Sequence, residues 1–447
     1  MAIVRKVAVV LQSVLGVIGA DTIEDLGRTT GLIRRRRKFS ACTLLQTLVL
    51  TLLKKPQAKL IDYQATAAQL GVIVTQEAID KRFSKELIAF CRGAIERALR
   101  PALAITASRA KLLQGFTSVR IGDSTTIALP DEFAQEFPGC GGKSGSGQAA
   151  MKIQFLWDLL AGGIISLSIE PGTQSDAKSP VAEQPAPAGS LTIFDLGYFC
   201  LKRFRSLSQA RAYWISRLQH GTLVYTPDGM LLDLLKYLRE HGGSGLVDLS
   251  VLIGAAERLP CRMIAVRVPQ EKANRRRQDA TEKAQQHGRT PSREYLAMQS
   301  WSVFVTNCEA DEFTWKEVVI LYRARWQIEL MFKLWKSHNQ LAAHKPGASA
   351  EQKLAIIYAK LIAIIVQHWI LIVASWGDVD RSLRKAANIV QEWITGIVEA
   401  LNDTTELARV LEKTATVIAT VARIGKRRSR PSLFQLLDNA DLLNYEF

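Results

Sequence analysis

At 447 residues the chain is too long for one simple core and requires about two to four structural units. Hydrophobic residues make up 48% of it, enough to bury a substantial interior and to exclude global disorder. The formal charge of +16 suits a phosphate backbone or an anionic membrane surface, and by itself does not choose between them.

The N-terminal stretch Val7–Ile18 is only mildly apolar, has no small-residue cleavage site and leads into acidic sequence, so no signal peptide is expected. Residues 1–112 read as helical, with apolar residues at three- and four-residue intervals in Leu44–Leu53 and Leu87–Leu99. The run Arg34-Arg35-Arg36-Arg37-Lys38 sets five cations side by side, which repel unless an anion relieves them, and so marks a candidate DNA contact. Tyr63–Leu70, a turn at Gly71, and Thr75–Phe83 have the outline of a helix-turn-helix; two short helices joined by a glycine fit as well.

From Ser118 the pattern turns to strands. Val119–Leu129 carries β-branched residues around Asp123, and Lys152–Leu159 and Ile164–Ile169 complete a three-stranded meander after the Gly/Ser stretch Gly139–Gly147. Leu191–Phe194 is a short apolar run ending in Asp195-Leu196-Gly197-Tyr198. Such a run predicts a buried parallel strand that delivers its carboxylate to the sheet's C-terminal edge. A helix N-cap is the alternative role for Asp195, and a bulge or turn position for Asp123.

Residues 200–299 form a further block, with strands expected at Leu223–Tyr225, Val247–Leu252 and Met263–Val268. The charged segment Lys272–Arg293 reads as a loop or an exposed helix. A strand at Trp301–Thr306 is followed by Tyr322–Lys336, which reads as one continuous helix. On a helical wheel Tyr322, Arg325, Trp326, Glu329, Lys333 and Lys336 share an outward face, while Ala324, Ile328, Met331, Leu334 and Trp335 point to the core. One acid among several cations suits a metal held beside a polyanion; i,i+4 ion pairing on a solvated face is the plainer alternative. Leu354–Ala374 approaches membrane-spanning length but carries Lys360, Gln367 and His368, so a buried helix is expected and no membrane partner. The last segment is helical, with a second basic cluster at Arg423–Arg430. The six cysteines are dispersed without a CxxC pair, which argues against a zinc module and a disulfide scaffold and fits a reducing cytosol.

Three acids stand out: Asp123 in a strand, Asp195 at a strand end and Glu329 on a helix. Their order, with Asp123-Ser124-Thr125, Phe194-Asp195-Leu196-Gly197-Tyr198 and the spaced set Tyr322, Arg325, Glu329, Lys336, resembles the DDE transposases of bacterial insertion sequences, in particular the insertion-sequence-four group with its Tyr-x2-Arg-x3-Glu-x6-Lys signature. The resemblance is best over about residues 115–375. It implies an α/β fold: an RNase H-like mixed sheet with helices, interrupted by a β-rich insertion and flanked by helical N- and C-terminal regions. The implied division is a DNA-binding region at 1–112, a catalytic core at 113–199 and 300–375, the insertion at 200–299, and a helical region at 376–447 available for dimerisation.

The resemblance further implies that Asp123, Asp195 and Glu329 bind two Mg²⁺ ions, for which Mn²⁺ can substitute, and carry out cut-and-paste transposition through a hairpin intermediate. Tyr322, Arg325 and Lys336 would hold phosphates of the element end, with Lys333 on the same face. Trp301 and Trp326 would stack on bases, core packing being the alternative for both. The implied partners are double-stranded DNA, both terminal inverted repeats and target, and a second copy of the chain in a homodimer. The implied location is the bacterial cytoplasm at the nucleoid. A derivative that grips DNA without cutting it, and an RNase H-like nuclease with another role, are the rival readings.

Overall fold

The computed structural model describes residue 8 and residues 20–35, 38–99, 108, 110–141, 148–286, 288–343, 347–378, 380–425 and 431–443. Arg36 and Arg37 of the N-terminal basic run, and 426–430 of the C-terminal one, lie outside the described residues. In chain order the helices α1 (Ala20–Thr29), α2 (Ala41–Lys54), α3 (Leu60–Gln69), α4 (Gln76–Asp80) and α5 (Lys85–Leu99) precede the strands β1 (Val119–Ala128), β2 (Ala150–Asp158), β3 (Ile164–Pro171) and β4 (Leu191–Phe194). Residues 200–299 hold α6 (Leu201–Gln209), β5 (Tyr213–Arg217), β6 (Val224–Tyr225), α7 (Leu234–His241), β7 (Leu246–Ile253), β8 (Leu259–Arg267), α8 (Gln270–Gln286) and α9 (Arg293–Met298). There follow β9 (Trp301–Thr306), α10 (Trp315–Arg323), α11 (Trp326–Lys333), a π-helical turn (Leu334–His338), α12 (Ala350–Ser375), α13 (Leu383–Ala400), α14 (Thr404–Val421) and α15 (Leu433–Asp438). The fold is mixed α/β with helical N- and C-terminal regions, as the resemblance implies.

The backbone divides into two units. One comprises Met1–Arg109, Ser124–Gln174 and Gln327–Lys426; the other comprises Ala110–Asp123, Ser175–Trp326 and Arg427–Phe447. The first unit is mainly helical. Its axis is α12, whose apolar length is buried against α2, α5, α13 and α14. That burial is the expected outcome for Leu354–Ala374, and Lys360, Gln367 and His368 within the span each have a partner. Lys360 Nζ donates to Gln340 O (2.7 Å) and Ala343 O (2.6 Å), Gln367 accepts from Asn339 (2.9 Å), and His368 Nε2 lies 2.7 Å from Gly162 O. The strands β2 and β3 pair antiparallel in this unit. Near its N-terminus α3 and α4 form the expected helix pair, joined through Gly71 at φ +80°, a conformation that costs glycine little and other residues much.

The second unit carries a mixed sheet in the order β1-β4-β5-β9-β8-β7-β6. Its first three strands run parallel and the rest antiparallel. The strands of residues 200–299 therefore extend the sheet of β1 and β4 and do not make one of their own. A single cluster beneath it includes Phe204, Trp214, Val251, Met263, Trp301 and Val303. Phe204 of α6 stacks on Trp214 of β5 with ring centroids 4.4 Å apart, which fixes the crossover helix to the strand it feeds.

The buried imidazole of His368 yields a stability prediction. Burial, first, pushes its pKa down to about 4 from the ordinary 6.5, with the Gly162 carbonyl opposing and Arg381 assisting. Nε2–H donates to that carbonyl, so the folded state holds the neutral ring. Because the folded pKa is depressed, the unfolded chain binds more protons between those two values. The contribution is complete above pH 6.5 and is lost as pH falls toward 4, on the order of 3 kcal/mol in all. His368→Phe is expected to flatten the pH dependence of the urea midpoint between pH 6.5 and 4.5, and an unchanged slope would refute the assignment.

Candidate active site

The two aspartates stand together by strand register. In β1 and β4 the partners are Val119↔Leu191 through Gly122↔Phe194, an offset of 191 − 119 = 72. Asp123 and Asp195 are separated by the same amount, 195 − 123 = 72, so one further step brings them abreast, Asp123 midway along β1 and Asp195 just past the C-terminal end of the adjacent parallel strand β4. The β4–β5 pairs, ending at Ile193↔Ile215, extend to Arg217 at the same level. Residues abreast on neighbouring strands present their side chains to one face. The sheet therefore lines up Asp123, Asp195 and Arg217 side by side on one face.

Asp195 occupies the N-cap position of the short turn Leu196–Tyr198, yet its side chain makes no capping bond. Its carboxylate is thus not consumed by the plainer role. The turn is held from elsewhere. Tyr198 is buried and stacks on Phe194 at 5.0 Å, and Arg203 donates to Tyr198 O and Ala177 O at 2.8 Å each and to Glu183 at 2.7 Å. Gly197 admits the Asp176 carboxylate: a Cβ there would lie 2.9 Å from Asp176 Oδ2. Arg203 is a positioning residue that the sequence offers only as an arginine one turn into an ordinary helix.

A single guanidinium reaches both acids. Arg325 Nη1 lies 3.2 Å from Asp123 Oδ2, and Nε lies 3.7 Å from Asp195 Oδ1. To make that reach the chain departs from the expected continuous helix over Tyr322–Lys336. α10, opened by a Thr314–Glu317 capping box, ends at Arg323, and α11 begins at Trp326. No glycine or proline stands at the break, and Arg325, the residue that reaches both aspartates, lies within it. The π-helical turn that follows carries Lys336, and of the expected outward stripe Arg325, Trp326, Glu329, Lys333 and Lys336 are exposed or half-buried.

Tyr322, expected on that outward stripe, is instead buried. Its ring meets Phe304 edge-on at 5.2 Å, and burial, then Asp195, push its hydroxyl up to about 12 against the pull of Arg325 and Arg217. The phenol remains protonated at neutral pH and sits within the field of the aspartate row. Trp301 is buried too, with Arg267 over its ring at 5.0 Å, and it lines a cavity of about 740 Å³ together with Leu196, Arg217, His220 and Tyr295. Trp326 is 56% exposed.

Glu329, half-buried on α11, and the exposed Lys333 and Lys336 belong to the first unit. On the same segment Ala324, Ile328, Met331, Leu334 and Trp335 are buried, as the helical wheel expects. Arg34 is exposed and pairs with Glu86 at 3.3 Å, and Arg35 joins it in lining a surface cavity beside α4. Among the described residues no group of three or more His, Cys, Asp or Glu side chains is gathered at metal-binding distance. The Asp123–Asp195 pair nonetheless fits a hard divalent cation. Its donors are carboxylate oxygens, the kind magnesium demands, and the pair already shares one positive charge, that of Arg325.

Removing that charge leaves two acids abreast without their common partner. Arg325→Leu is expected to destabilise the fold by roughly 1.5–3 kcal/mol, the range for hydrogen bonds to charged groups. Asp123→Asn in the Arg325→Leu background should recover part of the loss, because it removes one of the two repelling charges. Chemical denaturation of Arg325→Leu, Asp123→Asn and the double variant checks this, and additive losses would refute the shared-partner role.

Comparison with known proteins supplies the family. Residues 114–365, more than half of the chain, match the family model described as Transposase DDE domain. The chain is 25% identical over 442 residues to the transposase for insertion sequence element IS231B of Bacillus thuringiensis subsp. berliner, covering 93% of this chain and 92% of the relative. It is 24% identical over 399 residues to the transposase for insertion sequence element IS1151 of Clostridium perfringens, covering 83% of each. Among solved structures, the piggyBac transposase synaptic complex with hairpin DNA aligns at 11% identity and a TM-score of 0.47, over 93% of this chain and 87% of that one. The aspartates in their register, the half-buried Glu329 downstream and this family match lead to one conclusion: the chain belongs to the DDE transposases of bacterial insertion sequences.

Proposed function

We propose that the chain is a cut-and-paste DNA transposase that cleaves the ends of its element and joins the freed 3′ hydroxyls to target DNA. The observation that carries this reading is the aspartate row: Asp123 and Asp195 abreast on parallel strands, sharing the Arg325 guanidinium. Water attack frees a 3′ hydroxyl at the element end. That hydroxyl attacks the opposite strand to form a hairpin, which is reopened, and the 3′ hydroxyl then attacks target DNA. Every step is an in-line displacement at phosphorus, so one constellation serves all of them.

Two divalent ions, Mg²⁺ or in its place Mn²⁺, held by Asp123, Asp195 and Glu329, would activate the attacking oxygen and stabilise the leaving one. Around them Arg325, Tyr322, Lys333 and Lys336 hold phosphates of the element end; the neutral Tyr322 hydroxyl serves as a hydrogen-bond donor and the three cations as charges. Trp301 and Trp326 provide stacking surfaces, the first lining a cavity of about 740 Å³ and the second in the open. Arg34, Arg35, Arg36 and Arg37, with the α3–α4 pair, grip the duplex from the N-terminal region 1–112. The region 376–447 joins two copies into a dimer, and the protein works at the nucleoid in the bacterial cytoplasm.

Supercoiled plasmid carrying the element ends tests the reading. Nicking in Mg²⁺ is expected, and EDTA should stop it. Glu329→Gln and Asp123→Asn should each abolish nicking while gel shifts with end DNA persist, since neither change removes a cation. Binding without nicking by the unaltered protein would mark a non-cleaving derivative. Cleavage of branched DNA with no joining to target would mark a nuclease of another role. Lys336→Ala is expected to lower the slope of log affinity against log salt by about one, equally on all DNA sequences.

A further inference from the structure

Arg217 stands beside the aspartate row with a guanidinium that has no partner. Its side chain makes no hydrogen bond or ion pair among the described residues, and its Nε is buried unpaired. Other arginines of the unit are committed. Arg325 lies on both aspartates, and Arg203 is taken up by Tyr198 O, Ala177 O and Glu183. Arg262 of β8 grips Asp248 through bonds of 2.7 and 2.6 Å and donates to Phe313 O at 2.6 Å.

The β4–β5 register sets Arg217 abreast of Asp195 on the adjacent parallel strand, roughly 4.8 Å away along the sheet and with its side chain on the same face. On its other side it opposes Phe304 of β9, against which Tyr322 packs edge-on at 5.2 Å. Asp195 and Arg217 act in opposite senses on the Tyr322 hydroxyl, so the three groups face one space. A half-buried guanidinium without an acceptor opposes folding, because the N–H groups withdrawn from water bond to nothing in return. An acceptor that enters from outside removes that cost.

Position decides which acceptor. An anion bound by Arg217 lies beside the Asp195 carboxylate, and in the transposase reading the phosphate under attack is held at that carboxylate. Water attack forms one P–O bond and breaks the bond to the 3′ oxygen. The water releases a proton to solvent, the 3′ oxygen takes one up, and the phosphate stays on the flank. Negative charge on the non-bridging oxygens is greatest between the two events, where a fixed N–H donor acts most strongly. We propose that Arg217 is a further catalytic residue, which flanks Asp195 on the side away from Asp123 and donates to a non-bridging oxygen of the phosphate cut at the element end. The inference rests on the transposase reading and adds a residue that the Tyr322, Arg325, Lys333 and Lys336 set lacks.

The test uses the full chain with Arg217→Gln and Arg217→Lys, and duplexes of the element's terminal repeat with its flank in which one phosphate at a time is an uncharged methylphosphonate. Affinities are measured by fluorescence anisotropy in EDTA, so that no strand is cut. Methylphosphonate at the cut position is expected to weaken binding by the unaltered protein and to cost Arg217→Gln, already weaker, nothing further. Arg217→Lys, which keeps the charge, should respond as the unaltered protein does. Additive losses at every position, or coupling only at a phosphate away from the cut, would overturn the placement. Urea midpoints separate this contact from a structural role: Arg217→Gln is expected to keep or raise the midpoint, and a fall would assign Arg217 to the fold instead. In Mg²⁺ the same variant should nick supercoiled plasmid roughly a hundredfold more slowly. Coupling in a protein that never nicks upholds the contact and removes the transposase reading. Nicking by the unaltered protein with additive losses does the reverse.

Discussion

Two carboxylates held abreast on neighbouring parallel strands repel each other, and the fold answers that repulsion with the guanidinium of Arg325. For unit charges ~5 Å apart at an effective dielectric of about 20 such repulsion amounts to ~3 kcal/mol. Arg325 lies in the two-residue interruption between α10, which ends at Arg323, and α11, which begins at Trp326 with Glu329 in its first turn, while Tyr322 near the end of α10 packs edge-on against Phe304.

The row also needs a firm floor, because loop residues at a strand end are ordinarily the least constrained part of a sheet. Here the turn after Asp195 is bound from three sides: by the Phe194–Tyr198 stack, by Arg203 on the carbonyls of Tyr198 and Ala177, and by Asp176 against Gly197. A carboxylate that is neither a helix cap nor free to swing is suited to holding a fixed geometry, which catalysis by positioning demands.

The strand positions of Asp123 and Asp195 were legible because strand patterning and the apolar-Asp-x-Gly-Tyr run are strong local signals, and the buried side of the segment after Tyr322 was legible from its periodicity. Ala324, Ile328, Met331, Leu334 and Trp335 are all buried in spite of the break and the π-helical turn, since apolar periodicity survives small changes in backbone phase. The polar side was read less well, because a helical wheel cannot weigh an ion pair to Asp123, which is 202 residues away in sequence. Strand β5 escaped notice for a related reason. Tyr213–Arg217 is five residues long and follows the polar Gln209-Ala210-Arg211, so it lacks the length that separates a strand from a loop. Arg217 was missed with it, although it is the residue the register places beside Asp195.

The charge arrangement around the row resolves a conflict that any carboxylate site for a polyanion must face. Asp123 and Asp195 alone would repel an incoming phosphodiester. Within the same unit Arg325 lies on both acids, Arg217 stands abreast of them, and Arg217 and Arg323 act together on Lys272. The positive charge of Arg325 and Arg217 therefore lies directly beside the two aspartates. The excess of +16 over the whole chain is the global expression of the same requirement, and it matters most where acids have to be kept among phosphates.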